Sequence, residues 1–250
     1  EGVLRTHKGH VTGILNGLDY SRWDPATDPL IALPFSPEHE EEKAANKKYL
    51  QQTAELPEKG NVPLIGFVGR LAHQKGFDLV AEAIDDLAHM NVQFVFLGVG
   101  EEKYEHLLQK LSKKYPEKIA AFLTFDERIA HQIYAGSDLL LMPSWFEPCG
   151  LSQMIALRYG TIPVVYRTGG LADTILHYDA PNGNGFMFAH YSKKALEQVV
   201  KKAVEVYKDR EKFQHLVKHG SRLRFTWDHS AKEYQKVFID LCTTKVRKSI

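Results

Sequence analysis

From Pro63 onward the chain alternates between short apolar runs and stretches whose apolar residues recur at helical spacing. Leu64-Ile65-Gly66-Phe67-Val68-Gly69 reads as a buried strand. Phe77, Val80, Ile84 and Leu87 then fall on one helical face, with Asp78, Glu82, Asp85 and Asp86 between them. Strands follow at 92–97, 119–124, 139–142, 162–165 and 186–188. The helices between them are placed at 104–115, 126–136, 150–159 and 170–177. Leu196, Val199, Val200, Ala203, Val204 and Tyr207 mark a further helix, and Tyr234, Phe238 and Leu241 a final one over 230–242. Strands that are apolar on both faces and separated by helices imply a parallel sheet covered on both sides. Six such units predict an α/β fold, a Rossmann-like doubly wound parallel sheet of about six strands. A closed barrel needs eight units, too many for this chain.

The front quarter differs. Residues 1–36 are rich in glycine, proline and turn pairs such as Asn16-Gly17 and Asp24-Pro25, and 37–60 is charged and helix-forming. The expected organisation is an interdomain segment with a helix over 1–60, the Rossmann-like domain over 61–228, and a C-terminal helix within 229–250.

Ligands of open parallel sheets bind beyond the carboxyl ends of the strands, so the residues just after each strand carry the candidate chemistry. After the first strand come Arg70 and Lys75, five positions apart in a glycine-flanked loop that opens a helix. A planar fork, a point charge and helix N–H groups suit a diphosphate; two solvated surface cations are the alternative. After the second, Gly98-Val99-Gly100 is either a tight turn or a ligand contact, since Lys103 stands where a dinucleotide fingerprint has its third glycine. After the third, Phe125 is either a core aromatic or a stacking surface for a base. After the fourth, Pro143-Ser144-Trp145-Phe146-Glu147-Pro148-Cys149-Gly150-Leu151-Ser152-Gln153 puts a carboxylate on a turn, followed by a glycine that starts a helix. The N–H groups of Gly150 and Leu151 then offer a phosphate seat, and Glu147 a partner for hydroxyls. As an alternative, Glu147 simply complements the helix N-terminus. Cys149 reads as a small, partly buried thiol rather than a nucleophile, having no basic neighbour in sequence. After the fifth, Gly169-Gly170 either lets backbone approach a ligand or makes a turn.

Composition narrows the classes. Lysine and arginine total 32 against 31 aspartates and glutamates, a net charge of +1, so no global field draws nucleic acid or an anionic membrane. Two cysteines in 250 residues provide neither a disulfide scaffold nor a four-sulfur metal site. The twelve histidines include no His-Glu-x-x-His; His7, His10, His215 and His219 read as surface residues, and no metal is expected. Neither a Gly-x-x-x-x-Gly-Lys-Ser/Thr loop nor a Gly-x-Ser-x-Gly elbow is present, against ATPase and α/β-hydrolase chemistry. A dehydrogenase needs Gly-x-Gly-x-x-Gly after its first strand, where this chain has Arg70 and Lys75. No apolar run is long enough for a membrane span. The opening Glu1-Gly2-Val3 carries neither Met nor a signal-peptide layout, and the chain is expected to be a piece of a longer one.

Four motifs in order resemble bacterial glycogen synthases and plant starch synthases: Gly69-Arg70-Leu71-x-x-Gln74-Lys75-Gly76, the stretch Phe146 to Gln153, Tyr159-Gly160-Thr161-Ile162-Pro163-Val164, and Arg167 to Thr174. Gly13 to Asp19 followed by Trp23-Asp24-Pro25 is similar to that family's segment between domains. The resemblance spans essentially the whole chain and implies the C-terminal, nucleotide-sugar half of a retaining GT-B glucosyltransferase. The family's N-terminal Lys-Thr-Gly-Gly-Leu motif does not occur. The resemblance further implies that Arg70 and Lys75 hold the diphosphate of ADP-glucose and that Glu147 contacts the glucose hydroxyls, with backbone N–H groups of Cys149, Gly150 and Leu151 assisting. It places Ser152 near the ribose and phosphate, Phe125 at an adenine-stacking position and Asn16 on the glucose side. Ile155 stands where many related transferases have a second glutamate, a glutamate that starch and glycogen synthases also lack. The implied partners are ADP-glucose, ADP, an α-1,4-glucan acceptor and the N-terminal domain of the same enzyme, against which the last helix packs; no cofactor is implied. The setting would be the cytoplasm of a bacterium or the plastid of a plant. The alternative function is a nucleotide- or glucan-binding module without full catalysis.

Overall fold

Apolar runs of three to five residues, each followed by an amphipathic helix, bury both faces only inside a parallel sheet. The computed structural model, which describes residues 2–7, 9 and 11–247, contains that sheet; His10 lies outside the described residues. Its strands are β1 (Leu64–Val68), β2 (Gln93–Leu97), β3 (Ile119–Phe122), β4 (Leu139–Met142), β5 (Ile162–Tyr166) and β6 (Phe186–Phe188). All five pairings are parallel, in the order β3-β2-β1-β4-β5-β6. This is the doubly wound order, reversing between β1 and β4, so the predicted fold class holds. The helices are α1 (Gly2–Thr6), α2 (Glu40–Thr53), α3 (Phe77–Leu87), α4 (Glu102–Lys114), α5 (Glu127–Gly136), α6 (Ser152–Arg158), α7 (Gly169–Thr174), α8 (Lys193–Lys208), α9 (Arg210–Arg222) and α10 (Trp227–Arg247).

Several boundaries move for local reasons. β3 stops at Phe122 rather than 124, and Asp126 caps α5 by accepting from the Ile129 N–H. α6 begins at Ser152 rather than 150, because Gly150 adopts φ +73°, outside the helical range. α7 ends at Thr174 instead of 177, where Asn184 takes the Leu176 N–H through Oδ1. The charged 37–60 stretch is helical only over Glu40–Thr53. α10 runs longer than the predicted 230–242.

Contacts divide the chain into a larger unit, Ser21–Leu223, and a smaller one formed by the residues up to Tyr20 with those from Arg224. In the smaller unit Leu18 donates its N–H to the Phe225 carbonyl at 2.7 Å, and Ser230 Oγ donates to the Leu15 carbonyl at 2.7 Å. α2 belongs to the larger unit and packs on α5.

The core of the larger unit fills both sides of the sheet. Phe67, Phe77 and Phe96 meet edge-on or tilted, with centroids 5.3–6.0 Å apart, an arrangement that favours aromatic pairs. α2, by contrast, is attached by buried polar side chains. Lys47 Nζ pairs with Asp138 Oδ2 at 2.7 Å and donates to the Gly60 and Val62 carbonyls and the Tyr207 hydroxyl. Asp138 in turn accepts the first N–H of β1, from Leu64, at 2.8 Å. Lys43 Nζ donates to the carbonyls of Ala135 and Tyr159 and to Thr161 Oγ1, at 2.9–3.0 Å. Nearer the front, Asp28 Oδ2 accepts from the Tyr159 hydroxyl at 2.6 Å and lies 2.7 Å from His131 Nδ1, and Trp23 stacks on His131 with centroids 4.0 Å apart. The Lys43 and Lys47 ammoniums and the Asp138 and Asp28 carboxylates each have partners, as burial requires, while His131 Nε2 has no hydrogen-bond partner.

Burial pushes the Lys43 ammonium down to about 7, with Lys47 adding to the fall and Asp138 opposing it. Between about 7 and its ordinary 10.5 this lysine is mostly neutral in the native state, with two N–H groups for its three acceptors, while the unfolded chain still holds the extra proton. Stability therefore rises with pH between those two values, by up to about 1.4 kcal/mol per pH unit for one proton. Thermal unfolding at pH values from about 7 to about 9.5 is expected to give a Tm whose upward trend is steeper in the wild type than in Lys43→Met. Equal slopes would contradict this.

Candidate functional site

The β1 loop reaches the β4 loop through one glycine. Gly76 closes a single tight turn over His73–Lys75, has φ +73°, and would place a Cβ 2.0 Å from the Pro143 carbonyl oxygen. Only a residue without a side chain meets both demands. The contact delivers Lys75 to the turn beyond β4, where its Nζ lies 2.5 Å from Glu147 Oε2. Ser144 Oγ donates to the same oxygen at 3.2 Å. Glu147 is buried and stands five residues ahead of α6, so its partner is Lys75 across the sheet's reversal rather than the first turn of its own helix. Arg70 is exposed, and its Nη2 donates to Gln74 Oε1 at 3.1 Å.

The β4 turn is shaped from behind. Gln153 Nε2 donates to the carbonyls of Cys149 and Gly150 and to Thr174 Oγ1 at 2.9–3.1 Å. Gly170 donates its N–H to the Glu147 carbonyl at 2.9 Å, and a Cβ there would stand 2.0 Å from the Cys149 carbonyl oxygen. The glycine pair after β5 thus lets α7 press against the Glu147–Cys149 turn; the close approach is to protein backbone. Gly98-Val99-Gly100 behaves similarly: Leu71 takes the Val99 carbonyl at 3.0 Å, and the Glu101 N–H meets the Leu71 carbonyl at 2.9 Å. Both glycine sequences serve loop packing. Cys149 is half-buried and forms no disulfide.

Beside these loops lies a largely apolar cavity of about 350 Å³. Arg70 forms part of its wall, with Val99, Phe125, Tyr134, Ile155 and Trp23. Phe125 is 93% exposed, which excludes the core reading of that ring. Ile155 presents an alkyl wall, and the Tyr134 hydroxyl donates to Ser152 Oγ at 3.0 Å. Burial raises the Tyr134 phenol to about 12, so it remains a neutral donor. Arg22 and Glu127, also on the wall, form an ion pair.

The structure therefore gathers Arg70, Lys75, Glu147, Cys149, Gly150, Leu151 and Phe125 on the loops at one end of the larger unit, with Ser152 at the start of α6 beside them. Asn16 belongs to the smaller unit. Arg22, Tyr134 and Ser144 were missed by sequence reasoning. Ser144 sits inside the informative β4 stretch, but nothing in the pattern separates it from an ordinary turn serine. Among the described residues, no group of three or more His, Cys, Asp or Glu is placed to hold a metal ion.

The family model for glycosyl transferases group 1 matches residues 50–219. The chain belongs to that family. It is 41% identical to the glycogen synthase of Thermodesulfovibrio yellowstonii over 249 residues, covering 100% of this chain and 49% of that protein. With the Koribacter versatilis glycogen synthase it shares 47% over 240 residues, or 95% of this chain and 49% of that one. The catalytic domain of starch synthase IV from Arabidopsis thaliana, solved bound to ADP and acarbose, superposes with a TM-score of 0.89 at 34% identity, covering 96% of this chain and 50% of that one. Sucrose-phosphate synthase from Thermosynechococcus elongatus, at 19% identity and a TM-score of 0.59, shares the fold. The chain spans about half the length of the curated relatives it matches.

In this glycosyl transferase the two loops meet only because Gly76 has no side chain. Gly76→Ala is expected to lower unfolding free energy by about 2 kcal/mol or more, the size of a backbone clash added to left-handed strain. Urea denaturation checks it; a loss under about 0.5 kcal/mol, the scale of a neutral surface change, would show that the contact is not tight.

Proposed function

We propose that this glycosyl transferase chain is the donor-binding half of a glycogen or starch synthase. In that reading, glucose passes from ADP-glucose to the non-reducing 4-hydroxyl of an α-1,4-glucan with retention of configuration. The observation that carries it is the Lys75–Glu147 contact across the sheet's reversal, next to an apolar cavity with Arg70 on its wall. The cavity suits a nucleoside, the two cations a diphosphate, and the buried carboxylate the hydroxyls of a hexose. Glycogen synthases at 41–47% identity and a starch synthase solved with ADP and acarbose support the choice of donor and acceptor.

As the glycosidic bond breaks, charge grows on the bridging phosphate oxygen. Arg70 and Lys75 stabilise that charge more in the transition state than in the ground state. Lys75, already held by Glu147, gains the diphosphate as a second anionic partner. Glu147 orients the sugar, Phe125 stacks on the base, and Ser152, held by Tyr134, faces the ribose and phosphate. The N–H groups of Cys149, Gly150 and Leu151 assist at the sugar and phosphate. Retaining hydrolases place two carboxylates about 5 Å apart, one as nucleophile. Ile155 is on the wall, and of the other carboxylates there Asp126 caps α5 and Glu127 pairs with Arg22, so Glu147 is the one assigned to the sugar, which favours same-face attack by the acceptor hydroxyl assisted by the leaving phosphate.

Asn16 is assigned to the glucose side. The exposed Phe238, Ile239 and Leu241 of α10 are assigned to packing against an N-terminal half. The setting would be bacterial cytoplasm or a plastid. A second reading, nucleotide or glucan binding without full catalysis, is favoured by the half-length match to the relatives; assaying glucose transfer with and without an N-terminal half separates the two.

Calorimetry of ADP and UDP against the chain tests the donor. ADP is expected to bind more tightly, and Arg70→Ala or Lys75→Ala to cost about 2 kcal/mol or more, the scale of a charge-assisted contact. Preference for UDP, or wild-type affinity in both variants, would overturn the reading.

A further inference from the structure

Beyond the same end of the sheet as Lys75 and Glu147, four rings are packed together at or after the ends of β1, β4, β5 and β6. Trp145 follows the buried strand β4 yet is 49% exposed. Its ring and that of Tyr166, the last residue of β5, are parallel within 4° with centroids 6.1 Å apart. At that spacing the rings are offset rather than superposed, and together they make a stepped flat face. Tyr191 meets both edge-on, at 4.7 and 5.1 Å. His73, its side chain 61% exposed, stands 6.5 Å from Trp145 and 6.4 Å from Tyr191.

The step is fixed in place. The Tyr191 hydroxyl donates to Asp78 Oδ1 at 2.7 Å, and His73 Nε2 lies 3.5 Å from Asp78 Oδ2. Thr168 Oγ1 donates to the Trp145 carbonyl at 3.2 Å, tying the loop to the start of α7. None of the four rings lines the cavity with Arg70 and Phe125. The folding role of a ring cluster is met by Tyr166 and Tyr191, which are half-buried, and does not require half of the Trp145 surface to face water.

We propose that the Trp145–Tyr166–Tyr191 step binds a chain of α-1,4-linked glucose by ring stacking, beside the donor loop. The proposal rests on the glucan-transferring reading above. A pyranose presents an apolar face of C–H groups and a rim of hydroxyls. It therefore matches a flat aromatic surface whose edge carries an imidazole and a carboxylate. The ligand implied is neutral, in keeping with a step built from the uncharged rings of Trp145, Tyr166 and Tyr191. Trp145 is two residues from Glu147, so a chain seated on the step passes close to the sugar position of the donor site.

Calorimetry of the 250-residue chain with maltoheptaose and, separately, with ADP tests this. Trp145→Ala is expected to weaken maltoheptaose binding at least fivefold and leave ADP affinity within twofold; Trp145→Phe, which keeps a ring, is expected to retain most of the glucan affinity. Unchanged maltoheptaose binding in Trp145→Ala would overturn the proposal. So would joint loss of ADP and maltoheptaose binding, which would make Trp145 a support of the Glu147 loop. A change in oligomeric state by light scattering without a change in glucan affinity would also overturn it, assigning the step to self-association. A wild type that binds ADP but not maltoheptaose would overturn this proposal alone, whereas one that binds neither would remove the proposed function as well.

Discussion

Lys75 and Glu147 leave the sheet on neighbouring strands, β1 and β4, whose onward connections run in opposite directions, and their 2.5 Å contact bridges the crevice that this reversal opens. Everything assigned to the site depends on that bridge. A buried carboxylate needs a partner, and Glu147 finds it in a loop 72 residues away. The partner arrives because Gly76 lies flush on Pro143, and the turn that holds Glu147 is backed by Gly170 and Gln153. A cation and an anion are thereby fixed side by side before any ligand enters, which lowers the cost of organising them around a charged, hydroxyl-bearing one.

Polar struts fix the rest of the larger unit as well. Lys47, Asp138 and Tyr207 join α2 to the starts of β1 and β4, while Lys43 joins it to the loop before β5. Asp28, His131 and Tyr159 do the same for the segment that carries Arg22 and Trp23 to the cavity wall. Buried charges of this kind add little net stability, but removal of one partner leaves the other stranded. They therefore specify where α2 and the front segment sit more than they strengthen the fold.

The sheet was legible because it rests on periodicity. Apolar runs such as Leu139–Met142 have no other stable placement, and the stripe through Phe77, Val80, Ile84 and Leu87 allows one buried face. The loops of the candidate site were chosen because ligands of such sheets bind at strand ends. The use of each glycine was not: whether backbone approaches a ligand or another loop depends on tertiary contact, and Gly100 and Gly170 both turned out to face protein. Phe125 could not be assigned from its type, since a phenylalanine that is 93% exposed is read like any core aromatic. α2 looked like part of a connection because its anchors are lysines, and in a linear pattern a buried lysine is indistinguishable from a solvated one.

The central claim is that Lys75 and Glu147 act as one unit on a glucosyl diphosphate. A double-mutant cycle with Lys75→Met, Glu147→Gln and the double variant, read as ADP-glucose affinity by calorimetry, tests it most directly. The account predicts non-additive losses with a coupling of at least about 1 kcal/mol, within the range for side chains in contact. Losses that add to within about 0.3 kcal/mol, as for independent sites, would contradict it.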